Sequence, residues 1–441
     1  MTDATTPGGS ILVEDDRTRR RSAAEKRFRI YGLAAIGVGL AALLLLLTSI
    51  LIQGLPAFTQ TTVTLDVPLT EEVLDPEGNR DPDEIARIIT FSYGSLIDDA
   101  VQNKIDELGL DIDGLDDASG IISRQAPATI RNWVLQNPEA IGGTQSFNLL
   151  TSSRVDQFFK GVVTLESAER DSQITPAQLQ LASALQEAGD MQLSFNWSFI
   201  TAPDASDQRP EAAGLGVAIL GSLYMMMIVL VLALPIGVAA SIYLEEFAPR
   251  NRLTDIIEVN ISNLAAVPSI VFGILGLAIF INFAGLPQSA PIVGGLVLTL
   301  MTLPTIIIST RASLKSVPPS IRSAALGVGA SKMQSVFHHV LPLAGPGILT
   351  GTILGLAQAL GETAPLLLIG MVAFVGEYPD APPEGFFDPA SALPVQVYNW
   401  TQRADPAFAE RASGAIIVLL IFLAIMNITA ILLRRRFERR W

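Results

Sequence analysis

Six long apolar runs decide what this chain can fold into: residues about 31–52, 214–244, 262–283, 291–310, 344–371 and 414–433. An uninterrupted apolar stretch of about 18 residues or more is long enough to cross a bilayer as a helix. The chain is 49% hydrophobic and 16% charged. Because the apolar residues come in blocks rather than at helical or strand period, they exceed what a soluble core requires. The sequence therefore predicts an all-α membrane protein of six transmembrane helices. Pro235 in the second run and Pro268 in the third mark expected kinks.

Charge assigns the sides. Lys and Arg concentrate where a span meets the cytoplasm, and two basic clusters, Arg17–Arg29 and Arg434–Arg440, flank the first and last runs. With an even number of spans this places both tails, 1–30 and 434–441, inside. The 245–261 connection, with Arg250 and Arg252, and the 311–343 connection, with Arg311, Lys315, Arg322 and Lys332, fall on the same side. Outside lie residues 54–213, the 284–290 turn and the Pro-rich 372–413 loop. The first run, 31–53, is expected to stay as a signal anchor, since it is too long for a cleaved signal core and no small-residue cleavage site follows it.

Residues 54–213 carry 26 Asp and Glu against 9 Lys and Arg, a net −17. This inserted acidic domain is long enough for its own core, of mixed α/β or mainly α character. "SLIDDAVQNKIDELGL" (95–110) and "PAQLQLASALQEAGD" (176–190) suit amphipathic helices, and "MQLSFNWSF" (191–199) alternates like a strand. "DIDGLDDASG" (111–120) has calcium-loop composition, yet its glycine stands at position four and no closing glutamate follows, so it reads as a solvated turn. The chain has no cysteine and only His338 and His339, which rules out disulfides and thiolate sites and leaves too few ligands for a histidine metal site. Nothing points to nucleic acid, and no catalytic residues are expected.

The 33 residues between spans four and five, from 311 to 343, are long for an inner connection. After Pro318-Pro319, Ser320 is expected to cap a small-residue helix through Ser323, Ala324 and Ala325 that Gly327 and Gly329 interrupt. A second helix, 331–340, is expected to end at Leu341-Pro342. Such a hairpin either joins two spans or projects a small-faced helix toward a partner. Its order of Ala-Ala, then Gly329, then Leu341-Pro342 resembles the EAA loop of ABC importer permeases, with Ser323 in place of the usual glutamate and His339 in place of an aliphatic residue. "GETAPLL" (361–367), "IYLEEFAP" (242–249), "VPSIVFGILGL" (267–277) and "LPTII" (303–307) resemble the phosphate-specific, PstA-type permease. The resemblance covers about 214–371 and omits 54–213. It implies that Ser323, Ala324, Ala325, Gly327, Gly329, Leu341 and Pro342 couple to ATPase subunits. It also implies a homologous second permease, two ATP-binding subunits that use ATP and Mg, and an extracytoplasmic phosphate-binding protein, at a bacterial inner membrane. The chain itself has no G-x-x-x-x-G-K-[ST] loop, so no cofactor is expected on it and hydrolysis falls to its partners.

Span five sets Gly347, Gly351, Gly355 and Ala359 four residues apart, a smooth face for close helix packing. Gln358 and Glu362 form the neighbouring ridge. Pro365 leaves the Gly361 carbonyl without its donor, so the helix is expected to open one turn from Glu362, with Gly361, Thr363 and Pro365 toward a pathway or gate. An ionised Glu362 repels phosphate, which leaves it as a structural acceptor, a partner for a basic residue or a gating group. Relatives often carry a basic residue where this chain has Gln358. On span four, Thr299, Thr302, Thr305 and Ser309 share a face ending near Arg311: either hydroxyls bonded back to their own helix or a donor stripe with Arg311 at its mouth. Glu245 and Glu246 could pair with Arg250 or face the ATPase. The readings to separate are a phosphate permease, a permease for another oxyanion such as sulfate or molybdate, and a membrane sensor with an outer ligand domain.

Overall fold

The computed structural model describes residues 16–371 and 374–437, without the side chains of 436–437. Residues 1–15 and 438–441 of the expected tails, and 372–373 of the Pro-rich loop, lie outside them. The described residues fall into two units, divided between Gln53 and Gly54. Those before the division lie in the helix Asp16–Gly54, which carries the basic cluster and the first apolar run. Among the described residues five helices are long and apolar enough to cross a membrane, and six if one bent pair counts as a single span.

The second span, Gly216–Ile242, runs through Pro235 and ends in a widened turn, Tyr243–Phe247. The third departs from expectation. It is not a kinked 262–283 helix but an amphipathic helix, Arg252–Leu264, bent by 100° from the apolar stretch Ser269–Phe283, with the break at Ala265–Pro268. Pro268 lacks an amide proton and disfavours helical backbone before it. The apolar part has 8 residues of regular helix and 7 of widened turn, roughly 22 Å at 1.5 Å per residue, short of a bilayer core. The fourth span, Pro291–Ser316, extends past the expected 310.

Span five is also broken. Leu341–Gly361 is helical, Glu362 is extended (φ −80°, ψ 128°), and Ala364–Leu368 resumes. The opening thus falls at Glu362 itself rather than one turn away, because a helix continuing through 362–364 would drive the Pro365 ring against the Gly361 carbonyl. At its other end, the hairpin helix does not stop at Leu341-Pro342. Lys332–Ser335 passes through a widened turn, Val336–Val340, straight into span five, and such a turn absorbs the hydrogen bond Pro342 cannot make. Span six begins at Ala407, not 414, and the Pro-rich loop before it holds a helix, Leu393–Gln402.

The inserted domain has a three-stranded antiparallel sheet in the order β2-β1-β3, with β1 Thr59–Pro68, β2 Thr144–Leu150 and β3 Met191–Phe195. Val63, Leu65 and Val67 alternate on the buried face of β1. They pack in one core with Leu96, Ile97 and Val101 of helix Ser92–Leu108, Ile130 of Ala126–Gln136, and Leu179 and Leu185 of Pro176–Ala188. Each fully buried side chain of this size contributes about 1.5–3 kcal/mol. Thr175 and Gln178 form a capping box at the start of the last helix, and Gly189 (φ +88°) closes it in a left-handed turn that favours glycine. The 111–120 turn is closed by Asp117 accepting from the Gly120 amide. Among the described residues no group of His, Asp or Glu is placed to hold a metal.

Buried charges join this domain to span six. Lys160 bridges Asp156 at 2.6 Å and Glu410 at 2.8 Å. Arg411 donates to the carbonyls of Glu211 and Ala213, each at 2.8 Å, which lets span six carry charge in its first turns. The Glu211 carboxylate accepts from Ser123 at 2.5 Å, and burial holds its pKa above the ordinary 4.5. The folded chain therefore keeps this proton to a higher pH than the unfolded chain. Stability from this site is fully present below about pH 4.5 and is lost as pH rises through the raised folded value. Glu211→Gln keeps an acceptor for Ser123 and cannot ionise. Thermal unfolding in detergent should show the variant gaining on the parent as pH rises from 5 to 8; parallel profiles would mean Glu211 does not titrate in this window.

Candidate functional site

The segment Glu245-Glu246-Phe247 is the hub of the hairpin side, and each of its side chains grips a different element. Glu245 accepts from Arg311 on span four at 3.3 Å and pairs with Lys315 at 3.5 Å. Arg311 reaches further to Glu258, on the first arm of the bent third span, at 2.6 Å. Glu246 takes both the Nε (3.0 Å) and the NH2 (2.6 Å) of Arg322 on one oxygen. Phe247 lies under the Lys332 ammonium, 5.2 Å from ring centre to nitrogen, at a distance where the ring face attracts a cation. Glu245 and Glu246 therefore pair with spans and hairpin, not with Arg250. Arg311 is neither a free mouth charge nor a lone end anchor.

Arg322 does more than pair. It donates to the carbonyls of Leu314 and Val317 at 2.9 and 2.8 Å, capping span four where its last carbonyls lack helical partners. It sits in the hairpin helix Pro319–Gly327, whose N-cap is Pro318. Ser320, the expected cap, lies inside that helix because Pro318-Pro319 already supplies the turn and a helical φ at the first position. Gly329 (φ +89°) makes the left-handed turn between the arms. Ser331 then caps the second arm in a reciprocal pair with Gln334. Ser323, Ala324, Gly327 and Gly329 are exposed, Ala325 is buried, Leu341 is half-buried and Pro342 exposed. Leu326 and Val328 project between them, Val328 at 86% exposure.

The glycine face and the hydroxyl stripe, read separately in the sequence, are two sides of one seam. A side-chain carbon at Gly347 would meet Ser313, one at Gly351 would meet Ser309, and one at Gly355 would lie 2.8 Å from the Thr302 methyl. Ala359, the fourth member of this face, is fully buried. The Thr299 and Thr302 hydroxyls donate to Gly295 and Leu298 carbonyls at 2.7 and 2.6 Å, and Ser309 to Ile306 at 3.1 Å. Thr302 and Ser309 thus face span five rather than an opening, with their donors spent on their own helix. Thr305 is half-buried beside them.

The two broken spans meet at their breaks. At Gly273 an added carbon would fall 2.7 Å from the Pro365 Cα and 2.9 Å from its carbonyl oxygen; Gly276 packs on Val297 and Ile369. Pro365 is buried, while Glu362 and Thr363 are half-buried and Gln358 and Gly361 exposed. Among the described residues nothing pairs with the Glu362 carboxylate. Non-helical backbone at membrane depth is tolerated inside protein or along a water-filled cavity. The Gly273–Pro365 crossing, the Glu258–Arg311 pair and the Glu246–Arg322 pair escaped sequence reading. For the two ion pairs the signal was the match of Glu245, Glu246 and Glu258 with Arg311, Lys315 and Arg322, basic residues that had been counted only for orientation.

Residues 233–441 match the family model "Binding-protein-dependent transport system inner membrane component", and residues 15–169 match a domain of unknown function. The chain is 33% identical over 253 residues to the probable ABC transporter permease protein YqgI of Bacillus subtilis, covering 55% of this chain and 83% of that one. It is 31% identical over 229 residues to the phosphate transport system permease protein PstA 1 of Mycobacterium tuberculosis, covering 52% and 73%. An inward-facing structure of the MetNI methionine ABC transporter aligns with a TM-score of 0.40 at 16% identity, over 51% of this chain and 97% of that one. Members of this family are multi-pass inner-membrane subunits without an ATP site of their own. They work with a second permease, ATPase subunits that hydrolyse ATP, and a binding protein. This chain belongs to the binding-protein-dependent transport inner-membrane components, as an ABC importer permease of the PstA type.

Proposed function

We propose that the chain translocates inorganic phosphate inward, with both termini cytoplasmic and residues 54–213 outside. In this reading a second, homologous permease completes the pathway, an extracytoplasmic phosphate-binding protein delivers the ion, and two ATPase subunits, using ATP and Mg, push on the hairpin. The observation that carries it is the continuous tie from the exposed hairpin through Arg322 and Glu246 to span two, and through Glu245 and Arg311 to spans four and three. A push on the hairpin then displaces three spans together. The choice of phosphate rests on the relatives whose names state phosphate transport.

Glu362 then serves as a gate or bracing group. It is half-buried at the break, without a partner among the described residues, and its charge opposes the cargo's. Its natural counterpart is a donor on the second permease. Phosphate uptake in a strain lacking its own permease should be restored by this chain and reduced at least tenfold, about 1.4 kcal/mol, by Glu362→Lys. Rescue of sulfate uptake alone would overturn the phosphate assignment, and full uptake by Glu362→Ala would remove Glu362 from the mechanism.

A further inference from the structure

The apolar face of the inserted domain's sheet outruns the helices that cover it. Residues paired across antiparallel strands share a face, and Val63↔Met191, Thr61↔Leu193 and Thr59↔Phe195 are such pairs. Val63, Met191 and Thr61 are buried on that face, yet Leu193 and Phe195 further along it are 50% and 47% exposed. Trp197 adds to them at 68% exposure, edge-on to Phe195 at 4.7 Å, and Phe58 follows at 6.5 Å from Phe195. Buried Asn196 fixes this group: its side chain caps Trp197–Thr201 through the Phe199 amide, and its own amide donates to Phe58.

The position of this patch is set by the membrane spans. The amides of Leu215 and Gly216, at the start of span two, donate to the carbonyls of Phe199 and Ala202 at 2.8 and 2.9 Å. Gly414, where the apolar run of span six begins, lies directly under the Phe199 ring and Ala57. Phe58 is four residues from Gly54, the end of the first membrane helix. Residues 196–202 are therefore stapled to the level at which spans leave the bilayer, and Phe195 and Trp197 stand 47% and 68% exposed at that level.

We propose that Leu193, Phe195 and Trp197 form a membrane foot that seats the inserted domain in the headgroup region of the bilayer on its side. Tryptophan and phenylalanine suit this zone, where an apolar ring body meets acyl chains and the indole N–H remains hydrated. The foot holds the domain's lower edge down, so that the domain moves with the membrane surface rather than swinging above it. The proposal does not depend on which solute is carried.

The chain has no cysteine, so single introduced thiols can be labelled cleanly. Leu193→Cys, Phe195→Cys and Trp197→Cys, each carrying a nitroxide, would be compared with Thr144→Cys. Thr144 pairs with Pro68, nine residues along β1 from Thr59, roughly 30 Å away at 3.3 Å per residue. The full chain is assembled with cysteine-free partner subunits in vesicles of phosphatidylethanolamine and phosphatidylglycerol. Collision with oxygen, which partitions into lipid, and with a water-soluble nickel chelate is then measured. Oxygen should dominate at 195 and 197 and nickel at 144. Nickel dominance at 195 and 197 overturns the proposal, as do immobilised labels shielded from both reagents, which would place a protein partner there.

Discussion

Reversing charge at either end of the Glu246–Arg322 pair should abolish uptake while ATP hydrolysis continues. Glu246 is 8% exposed and Arg322 23%, and two guanidinium nitrogens bear on one carboxylate oxygen. Breaking a buried pair costs about 3–5 kcal/mol because the remaining charge stays unpaired, and the partial exposure of Arg322 moves this one toward the lower end. Arg322 also caps Leu314 and Val317, so Arg322→Glu loses the span-four cap as well and should be the more damaging. Glu246→Gln keeps an acceptor without the charge and should lower uptake roughly tenfold, about 1.4 kcal/mol. The exchanged double variant, Glu246→Arg with Arg322→Glu, should recover part of the uptake but not the cap. Uptake and ATP hydrolysis read together in proteoliposomes separate lost coupling from lost folding. Normal uptake by Arg322→Glu would remove this pair from the transmission path.

What could be read from the sequence follows from the range of the forces involved. Apolar runs and the hairpin's arms are set by local composition, so the runs and the Pro318-Pro319 and Gly329 turns were visible directly, whereas the shortness of the third apolar helix was not. Breaks were visible as residues but not as geometry: Pro268 signalled a kink and produced a 100° bend, since packing, not proline alone, sets the angle. β1 was legible through the alternation of Val63, Leu65 and Val67 and was nonetheless missed, because its partners lie more than 70 residues away on β2 and more than 120 away on β3. The Glu246–Arg322 and Glu258–Arg311 pairs are likewise long-range, and a sequence gives their charges without their distances. The stripe on span four shows the converse. Its spacing was read correctly, but only the facing Gly351 and Gly355 reveal that it lines a seam.

The close crossing of the two broken spans makes Gly273 hard to replace. Its neighbour is backbone, the Pro365 Cα and carbonyl oxygen at 2.7 and 2.9 Å from an added carbon, and a proline backbone beside a helix break has no rotamer to yield. Gly351 faces Ser309, whose hydroxyl can turn away but whose Cβ would lie 2.3 Å from an added carbon, so Gly351→Ala should be at least as damaging as Gly273→Ala. Gly361 is the control, because nothing lies within 4 Å of an added carbon there; Gly361→Ala should keep the parent's thermal stability. Gly273→Val introduces a branched side chain at a contact with no spare volume, where overpacking costs about 1–3 kcal/mol and more when backbone must move. The stretch 269–283 would then have to lift away from Pro365, widening the junction at which Glu362 opens the helix. The expected result is a lower melting temperature in detergent and uptake reduced by at least tenfold, with Gly361→Ala unaffected in stability. Parent-like uptake and melting by Gly273→Val would show that this crossing is not a fixed contact of the working permease.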